Sequence, residues 1–337
     1  MYAGIPRFQS VPEIARNGFF RSEAPVSGSV TPDRSRRVAV AVSVLNYNSA
    51  DATRHCVASI LNATDPNLDF RVVVVDNGSA PAENLATHAW GDPRVAFHPS
   101  RINLGFAGGH QFAIQFIRAR YYFFFNNDGY LCNDAIRALH DFMEAHPECA
   151  LATGQCFDAN GQARASFNYE PSLARAVFGP GLLRWIHPEG YPLRHVVYSR
   201  PIEVPMVTGS ALFVRAEPFE ELGGLDTRYF LYCEEEDLAR SLKLRGGRIY
   251  FVPDAHFCHV GGGSSLQSPA LRREFYLSFH YYLRKHHNRI YVIAFRFVLL
   301  GKLLVRVLRG RDPWNLFWFV ARGAPERESL RFRQRFY

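Results

Sequence analysis

From residue 38 onward, apolar runs alternate with amphipathic stretches. "VAVAVSVL" (38–45) and "FRVVVVD" (70–76) are unbroken apolar runs. Unbroken burial, rather than strict alternation, suits a strand covered on both faces. "RVAFH" (94–98) and "YYFFFN" (121–126) read as a third and a fourth strand. Between them the spacing predicts helices over 51–63, over 105–120 and over 133–146, the last stopping before Pro147. Strands alternating with helices predict an α/β fold, with a parallel sheet flanked by helices. Ligands of such sheets bind beyond the carboxyl ends of the strands. Polar residues gather there: Asn46-Tyr47-Asn48, Asp76-Asn77-Gly78-Ser79 and Asn126-Asn127-Asp128.

The second half is mixed. "ALFVR" (211–215) reads as a strand, followed by a helix ending at Gly223-Gly224. "EEEDLARSLKLRGG" (234–247) reads as a helix, with acids in its first turn, bases late and glycine at its stop. "RIYFVP" (248–253) is a further strand, and beyond 288 apolar positions alternate with bases. The expected division is an N-terminal extension (1–37), a main domain (38–287) and a basic amphipathic C-terminal segment (288–337). The Pro, Ser and Arg content of the extension suits a mobile arm over the cleft.

Composition narrows the classes. In 337 residues, 47% hydrophobic and 21% charged positions allow a sizeable core. The net charge of +8 favours anionic partners. Its excess sits in "RKHHNR", "KLLVRVLRGR" and "RFRQRF" near the end, and no nucleic-acid-binding motif accompanies it, so nucleic acid is not expected as a partner. The six cysteines include no CxxC pair, which argues against a zinc ribbon and for reduced thiols in the cytoplasm. No apolar leader opens the chain. The most apolar late stretch, 291–308, is broken by Arg296, Lys302 and Arg306, so no span of about 18 apolar residues is formed. This segment is expected either to dock peripherally on an anionic inner membrane face or to pack on the catalytic domain or a homodimer partner.

Five constellations carry candidate chemistry. Asp76, at a strand tip, can bind a ribose hydroxyl or a base N–H, or can simply close the "DNGS" turn. "NLGFAGG" (103–109) lets backbone approach a phosphate at a helix start, although its spacing is not the dinucleotide fingerprint. Asp128, ending "FFFNND", can hold a divalent cation or merely shape a turn. The four acids 234–237 can compensate a helix dipole, or their mutual repulsion can raise a pKa and make a general base. His259, before a glycine run, can be a metal ligand or a structural histidine, and His256 is its local competitor.

In their order, "NYNSAD", "VVVVDNGS", "NLGFAGGHQFAI", "FFNND" and "VTGSALFVRAEPFEELGGLDTRYFLYCEEEDLARSLKLRGGRIYFVPDAHFCHVGGGSS" closely resemble family 2 glycosyltransferases of the GT-A fold. Within that family they resemble the bacterial rhamnosyltransferases that build cell-surface polysaccharides. The resemblance spans roughly residues 38 to 287. It implies a Rossmann-like mixed sheet, a nucleotide-diphosphate sugar donor, a divalent cation (Mg²⁺ or Mn²⁺), inversion at the anomeric carbon and a glycan or lipid-diphosphate-linked acceptor. It implies that Tyr47 and Asp76 contact the base and ribose, and that Asn46, Asn103 and Gly109 line the same pocket. It implies Asp128 and His259 as metal ligands, Glu235 as general base, and Gly209, Glu234 and Asp237 on the acceptor side. dTDP-rhamnose is the donor it favours, with galactofuranose, glucose or N-acetylglucosamine donors as alternatives, and a non-catalytic nucleotide-sugar-binding subunit as a further one. There are three departures. The turn "NND" carries one carboxylate, Glu235 stands where Asp is usual, and His110 stands where Asn is common.

Overall fold

The computed structural model describes residues 37–259 and 268–334. The suggested N-terminal arm (all but Arg37) and the glycine run after His259 lie outside the described residues. In chain order the elements are β1 (Val38–Asn46), α1 (Ala50–Ala63), β2 (Phe70–Asn77), β3 (Val95–Ser100), α2 (Gly105–Ala113), β4 (Ala119–Phe125), β5 (Gly129–Leu131) and α3 (Ala135–Ala145). Then come β6 (Cys149–Phe157), β7 (Ala163–Arg164), β8 (Phe167–Asn168), α4 (Leu173–Ile186), β9 (Ile202–Glu203), β10 (Met206–Val207), β11 (Ala211–Arg215) and α5 (Ala216–Glu221). The last are α6 (Glu234–Leu244), β12 (Arg248–His259), α7 (Pro269–His286), α8 (Arg289–Leu308) and α9 (Trp314–Ala321).

The main sheet has the order β3-β2-β1-β4-β11-β6-β12-β5. Strands β1 to β4 are parallel, as the alternation of strands and helices predicts. β11 runs antiparallel to both β4 and β6, which makes the sheet mixed. The aromatic strand divides its side chains by a period of two. Tyr121, Phe123 and Phe125 enter one core beneath α1 and α3, and Tyr122 and Phe124 enter the other, shared with α6. Both faces are dry, so a run of five aromatics is what the site demands.

Some boundaries differ from the sequence reading. The helix expected over 105–120 ends at Ala113 and tightens into a 3₁₀ turn at Ile114–Phe116, because Ala119 already joins β4. The strand expected to stop at 253 runs on to His259, past a register shift between Val252 and His256. The bulge absorbs Pro253, which a regular ladder would not tolerate. β6 and α4 have no counterpart in the sequence reading. The C-terminal segment forms two helices, α8 and α9, and both pack against α7.

Candidate active site

The polar ends of β1, β2 and β4 meet at one edge of the sheet. Asn46 is fully buried and serves as a hub. Its amide donates to Asp76 Oδ2 (3.1 Å), Ser79 Oγ (3.1 Å) and the Glu83 carbonyl (2.8 Å), and its carbonyl accepts from Thr53 Oγ1 (2.9 Å). Asp76 also accepts the Ser79 N–H on Oδ1 (2.9 Å) and the Leu85 N–H on Oδ2 (3.2 Å). Oδ1 therefore keeps a lone pair for a ligand. Asp76 lines a cavity of ≈170 Å³ together with Gly78, Ser79, Phe97 and Arg101. Tyr47, in the turn after β1, is 51% exposed.

The 103–109 loop is held by Asn77. Its amide donates to Asn103 Oδ1 (3.2 Å) and the Gly105 carbonyl (2.9 Å), while its own Oδ1 accepts the Leu104 N–H (2.9 Å). Gly105 has φ +74°, and a Cβ there would fall 2.0 Å from the Phe230 carbonyl oxygen. Only glycine allows that approach. Phe106 N–H then donates to the same oxygen (2.8 Å), tying the loop to the lead-in of α6. Gly109 is a packing glycine, since a Cβ would meet Leu45 Cδ1 at 2.8 Å and Asn77 Nδ2 at 3.1 Å. His110 faces inward from the same helix. Its Nδ1 lies 2.7 Å from Ser43 Oγ, and burial pushes its pKa down to about 3, so it is a neutral core histidine.

At the end of β4, Asn127 donates to Thr53 Oγ1 (2.9 Å) and Asn126 N–H donates to the Ser210 carbonyl (3.1 Å). Asp128 Oδ1 lies 2.9 Å from His259 Nε2, and Asn126 Nδ2 lies 3.2 Å from that nitrogen. One carboxylate oxygen and one imidazole nitrogen, each about a quarter exposed, offer two donors of the about six an octahedral cation takes. Among the described residues no third His, Cys, Asp or Glu completes it. That donor set suits a cation that takes its remaining ligands from diphosphate and water. His256 takes no part, because an odd separation along a strand turns it to the other face.

α6 starts from a strained corner. Tyr232 (φ 72°) and Cys233 (φ 68°) are both left-handed without being glycine. Such backbone costs on the order of 1–3 kcal/mol per residue and persists where the surroundings enforce it. Here the enforcing contacts are buried Cys233, Ser278 Oγ donating to the Leu231 carbonyl (2.7 Å) and the Phe230–Phe106 bond. The corner aims Glu235 at Gly209, whose backbone N–H bonds its carboxylate. A Cβ at Gly209 would sit 3.3 Å from Glu235 Oε1. Glu235 is raised in pKa chiefly by burial. Burial and neighbouring carboxylates raise Glu234 and Glu236 well above the usual range, and Glu236 is hydrogen-bonded to Glu235. One oxygen on each of these three acids has no partner among the described residues. The geometry, then, is a polar cavity at Asp76, a carboxylate–imidazole pair at Asp128 and His259, and a buried acid at Glu235. Ser210, bonded to Asn126, and Gly209, touching Glu235, connect the last two.

A family model described as "Glycosyl transferase family 2" matches residues 41–223, more than half of the chain. The chain belongs to this family. The glycosyltransferase is 26% identical over 283 residues to an N-acetylglucosaminyl-diphospho-decaprenol L-rhamnosyltransferase of Mycobacterium tuberculosis (strain H37Rv), covering 79% of this chain and 90% of the relative. It is 25% identical over 235 residues to Rhamnosyltransferase WbbL of Escherichia coli (strain K12), covering 67% of this chain and 86% of the relative. Among solved structures it resembles that of GalNAc-T7 with UDP, GalNAc and Mn²⁺, with a TM-score of 0.54 and 14% identity. The match covers 74% of this chain and 48% of that one, so the glycosyltransferase spans about half of its length. That likeness identifies the fold as GT-A.

One residue, Asp237, stands apart from the acids it was expected to join. Asp237 turns away from Glu235 and is taken up by His286 Nε2 (2.6 Å), Lys285 Nζ (2.7 Å) and Tyr229 OH (3.1 Å), which fastens α6 to α7. Glu234 is buried beside the other acids. Two contributors escaped the sequence reading. Asn77 was legible as the second residue of a strand-end turn. Gln334 was not. Its carbonyl accepts the Asn103 N–H (2.7 Å) and its amide donates to the Asn103 carbonyl (2.6 Å), across the whole length of the domain.

Proposed function

We propose that this glycosyltransferase moves L-rhamnose, with inversion, from dTDP-rhamnose to a hydroxyl of a lipid-diphosphate-linked or growing glycan acceptor. The carrying observation is that the Asp128–His259 pair and Glu235 are joined at one sheet edge through Ser210 and Gly209. The names of the curated relatives support rhamnose and a lipid-linked acceptor. Asp76 Oδ1 and the exposed Tyr47 ring take the nucleotide, with Asn46 and Asn103 holding the pocket in shape. Asp128 and His259 would hold Mg²⁺ or Mn²⁺, and the imidazole favours Mn²⁺ over the harder Mg²⁺. A divalent cation there supplies charge neutralisation for the departing diphosphate.

The rest falls to the chain's own groups. Glu235, ionised, accepts the proton of the acceptor hydroxyl as that oxygen attacks the anomeric carbon from the face opposite the diphosphate. Burial raises its proton affinity, and the Gly209 N–H keeps one oxygen aimed. The longer Glu side chain is accommodated because position 209 carries no Cβ.

The test is calorimetric titration with dTDP-rhamnose, UDP-galactose and UDP-glucose, each with and without Mn²⁺, followed by transfer assays on Glu235→Gln. Mn²⁺-enhanced binding of dTDP-rhamnose alone, with transfer lost in the variant, is expected. Preference for a UDP-sugar would replace the donor. Binding without transfer by the parent chain to any lipid-linked acceptor would favour a carrier role.

A further inference from the structure

α8 carries an apolar stripe that no other described residue covers. Its inner side, with Phe295 and Leu303, packs against α7 and α9. Its outer side exposes Ile290, Ile293, Phe297, Leu304 and Leu308, spaced with Gly301 at intervals of three and four. Phe297 is 72% exposed and Ile290 80%. α9 adds Trp314 and Trp318, four apart and each about half exposed. α4 is fastened to α8 by the Leu173 N–H, which donates to Tyr291 OH (2.9 Å), and it exposes Phe178, Leu182, Trp185 and Ile186.

Charge selects the occupant. Residues 289–311 contain Arg289, Arg296, Lys302, Arg306, Arg309 and Arg311, and no Asp or Glu. Arg306 is neutralised by Asp312, and Arg296 turns inward to the Ala321 carbonyl. Among the described residues, Arg289, Lys302, Arg309 and Arg311 pair with no carboxylate. At about 100° per residue, Arg309 and Lys302 lie about 80–100° beyond one edge of the stripe, within reach of it only by their long side chains, and Arg289 about 40° beyond the other. A two-fold contact between copies would set these cations against themselves. An anionic bilayer accepts both features, with the apolar stripe in the acyl boundary, the cations at the phosphates and tryptophan at the interface. No helix among the described residues is long and apolar enough to cross a membrane, so α8 would lie flat.

We propose that α8, with α9 and α4 beside it, seats the protein on an anionic lipid bilayer. This stands apart from the identity of the sugar or acceptor. The full chain is mixed with phosphatidylcholine vesicles with and without phosphatidylglycerol, and with vesicles carrying lipids brominated in the upper acyl chain. Truncation is avoided, because Gln334 and Ser329 tie the end of the chain into the domain.

The expected result is co-sedimentation with phosphatidylglycerol vesicles, at least about tenfold weaker on phosphatidylcholine alone, and tryptophan quenching by the brominated lipids. Phe297→Asp with Leu304→Asp should lower partitioning about tenfold or more, and Lys302→Glu with Arg309→Glu should abolish the anionic preference. Unchanged melting by circular dichroism would establish that both variants fold. Failure to bind either vesicle, or unchanged partitioning of the apolar variant, overturns the proposal. So does a solution dimer that the apolar variant dissociates in the absence of vesicle binding, which would assign the stripe to a second copy. Donor titration on the same preparations reads the sugar-transfer assignment separately.

Discussion

His259 Nε2 lies 2.9 Å from Asp128 Oδ1 because the last residues of β12 pair with β5, setting His259 opposite Gly129. Asp128 immediately precedes that glycine. The pair is therefore a product of sheet register rather than of loop placement, and a one-residue slip would turn the imidazole to the other face.

If the pair ligates the diphosphate-bound cation, Asp128→Asn and His259→Ala should each weaken Mn²⁺-supported donor binding by about 10–100-fold. Binding without metal should stay within error. Both side chains are about a quarter exposed, so stability should change by less than about 1 kcal/mol. Calorimetry with and without Mn²⁺, beside a melting curve, checks both. Full Mn²⁺ enhancement in either variant removes that residue from the ligand set.

The acid cluster makes stability and activity run in opposite directions with pH. Burial and mutual repulsion hold Glu234 and Glu236 above their unfolded value of 4.5. Between that value and the raised folded values, the folded chain binds more protons than the unfolded one. The stabilising contribution is thus full below pH 4.5 and is lost as pH rises through the folded values. Glu236→Gln should melt with the parent near pH 4 and above it at pH 8, by on the order of 2–4 °C per kcal/mol. With Glu235 as the proposed base, whose pKa is also raised, parent activity should climb with pH over the same interval. Glu235→Gln should lose about 10²-fold or more of it with donor affinity kept. A flat stability difference across pH would mean that the acids are not protonated in the fold.

Gly105 and Gly109 look equivalent in the chain but should not behave alike. Alanine at 105 meets a carbonyl oxygen at 2.0 Å with φ +74°, so backbone must move. Alanine at 109 meets chiefly the mobile end of Leu45. Gly105→Ala is expected to cost about 2–4 kcal/mol and Gly109→Ala about 1 kcal/mol or less. Urea denaturation of the two variants is the measurement, and equal losses would show that the Phe230 contact is not what requires glycine.

The parts of this fold that were readable share a physical reason. β1, β2 and β4 are buried on both faces, and that leaves unbroken apolar runs. Asp76, Asp128, Glu235 and His259 stand out because each is an ionisable residue within three positions of the end of an apolar strand or the start of a helix. β6 was hidden because its small and polar residues (Ala150, Thr153, Gly154, Gln155) fit between β11 and β12 with Thr153 as the only β-branched residue of the strand. α4 was hidden by Gly179, which breaks its backbone, and Pro180. The orientation of Asp237 was available in principle. Two positions along a helix turn about 200°, so it could not share the face of Glu235. Gln334 carries no local signal at all, since its meaning is a contact with a loop more than two hundred residues away.

That contact gives the last prediction. Gln334 clasps both backbone groups of Asn103 while Asn103 Oδ1 accepts the Gly105 N–H (2.8 Å), so the C-terminal segment braces the loop proposed to line the donor site. A side chain bonding only main chain, and no ligand group, is a positioning residue. Gln334→Ala should free two hydrogen bonds of about 1 kcal/mol each. The loop then samples more conformations before the donor arrives, so the loss falls on binding. Donor KM should rise about five- to thirtyfold with kcat nearly unchanged, and Gln334→Glu, which keeps the acceptor but not the donor, should fall between. Melting should fall by no more than the few degrees that two such bonds allow. An equal fall in kcat, or no change in KM, would mean that the brace serves the fold and not the donor site.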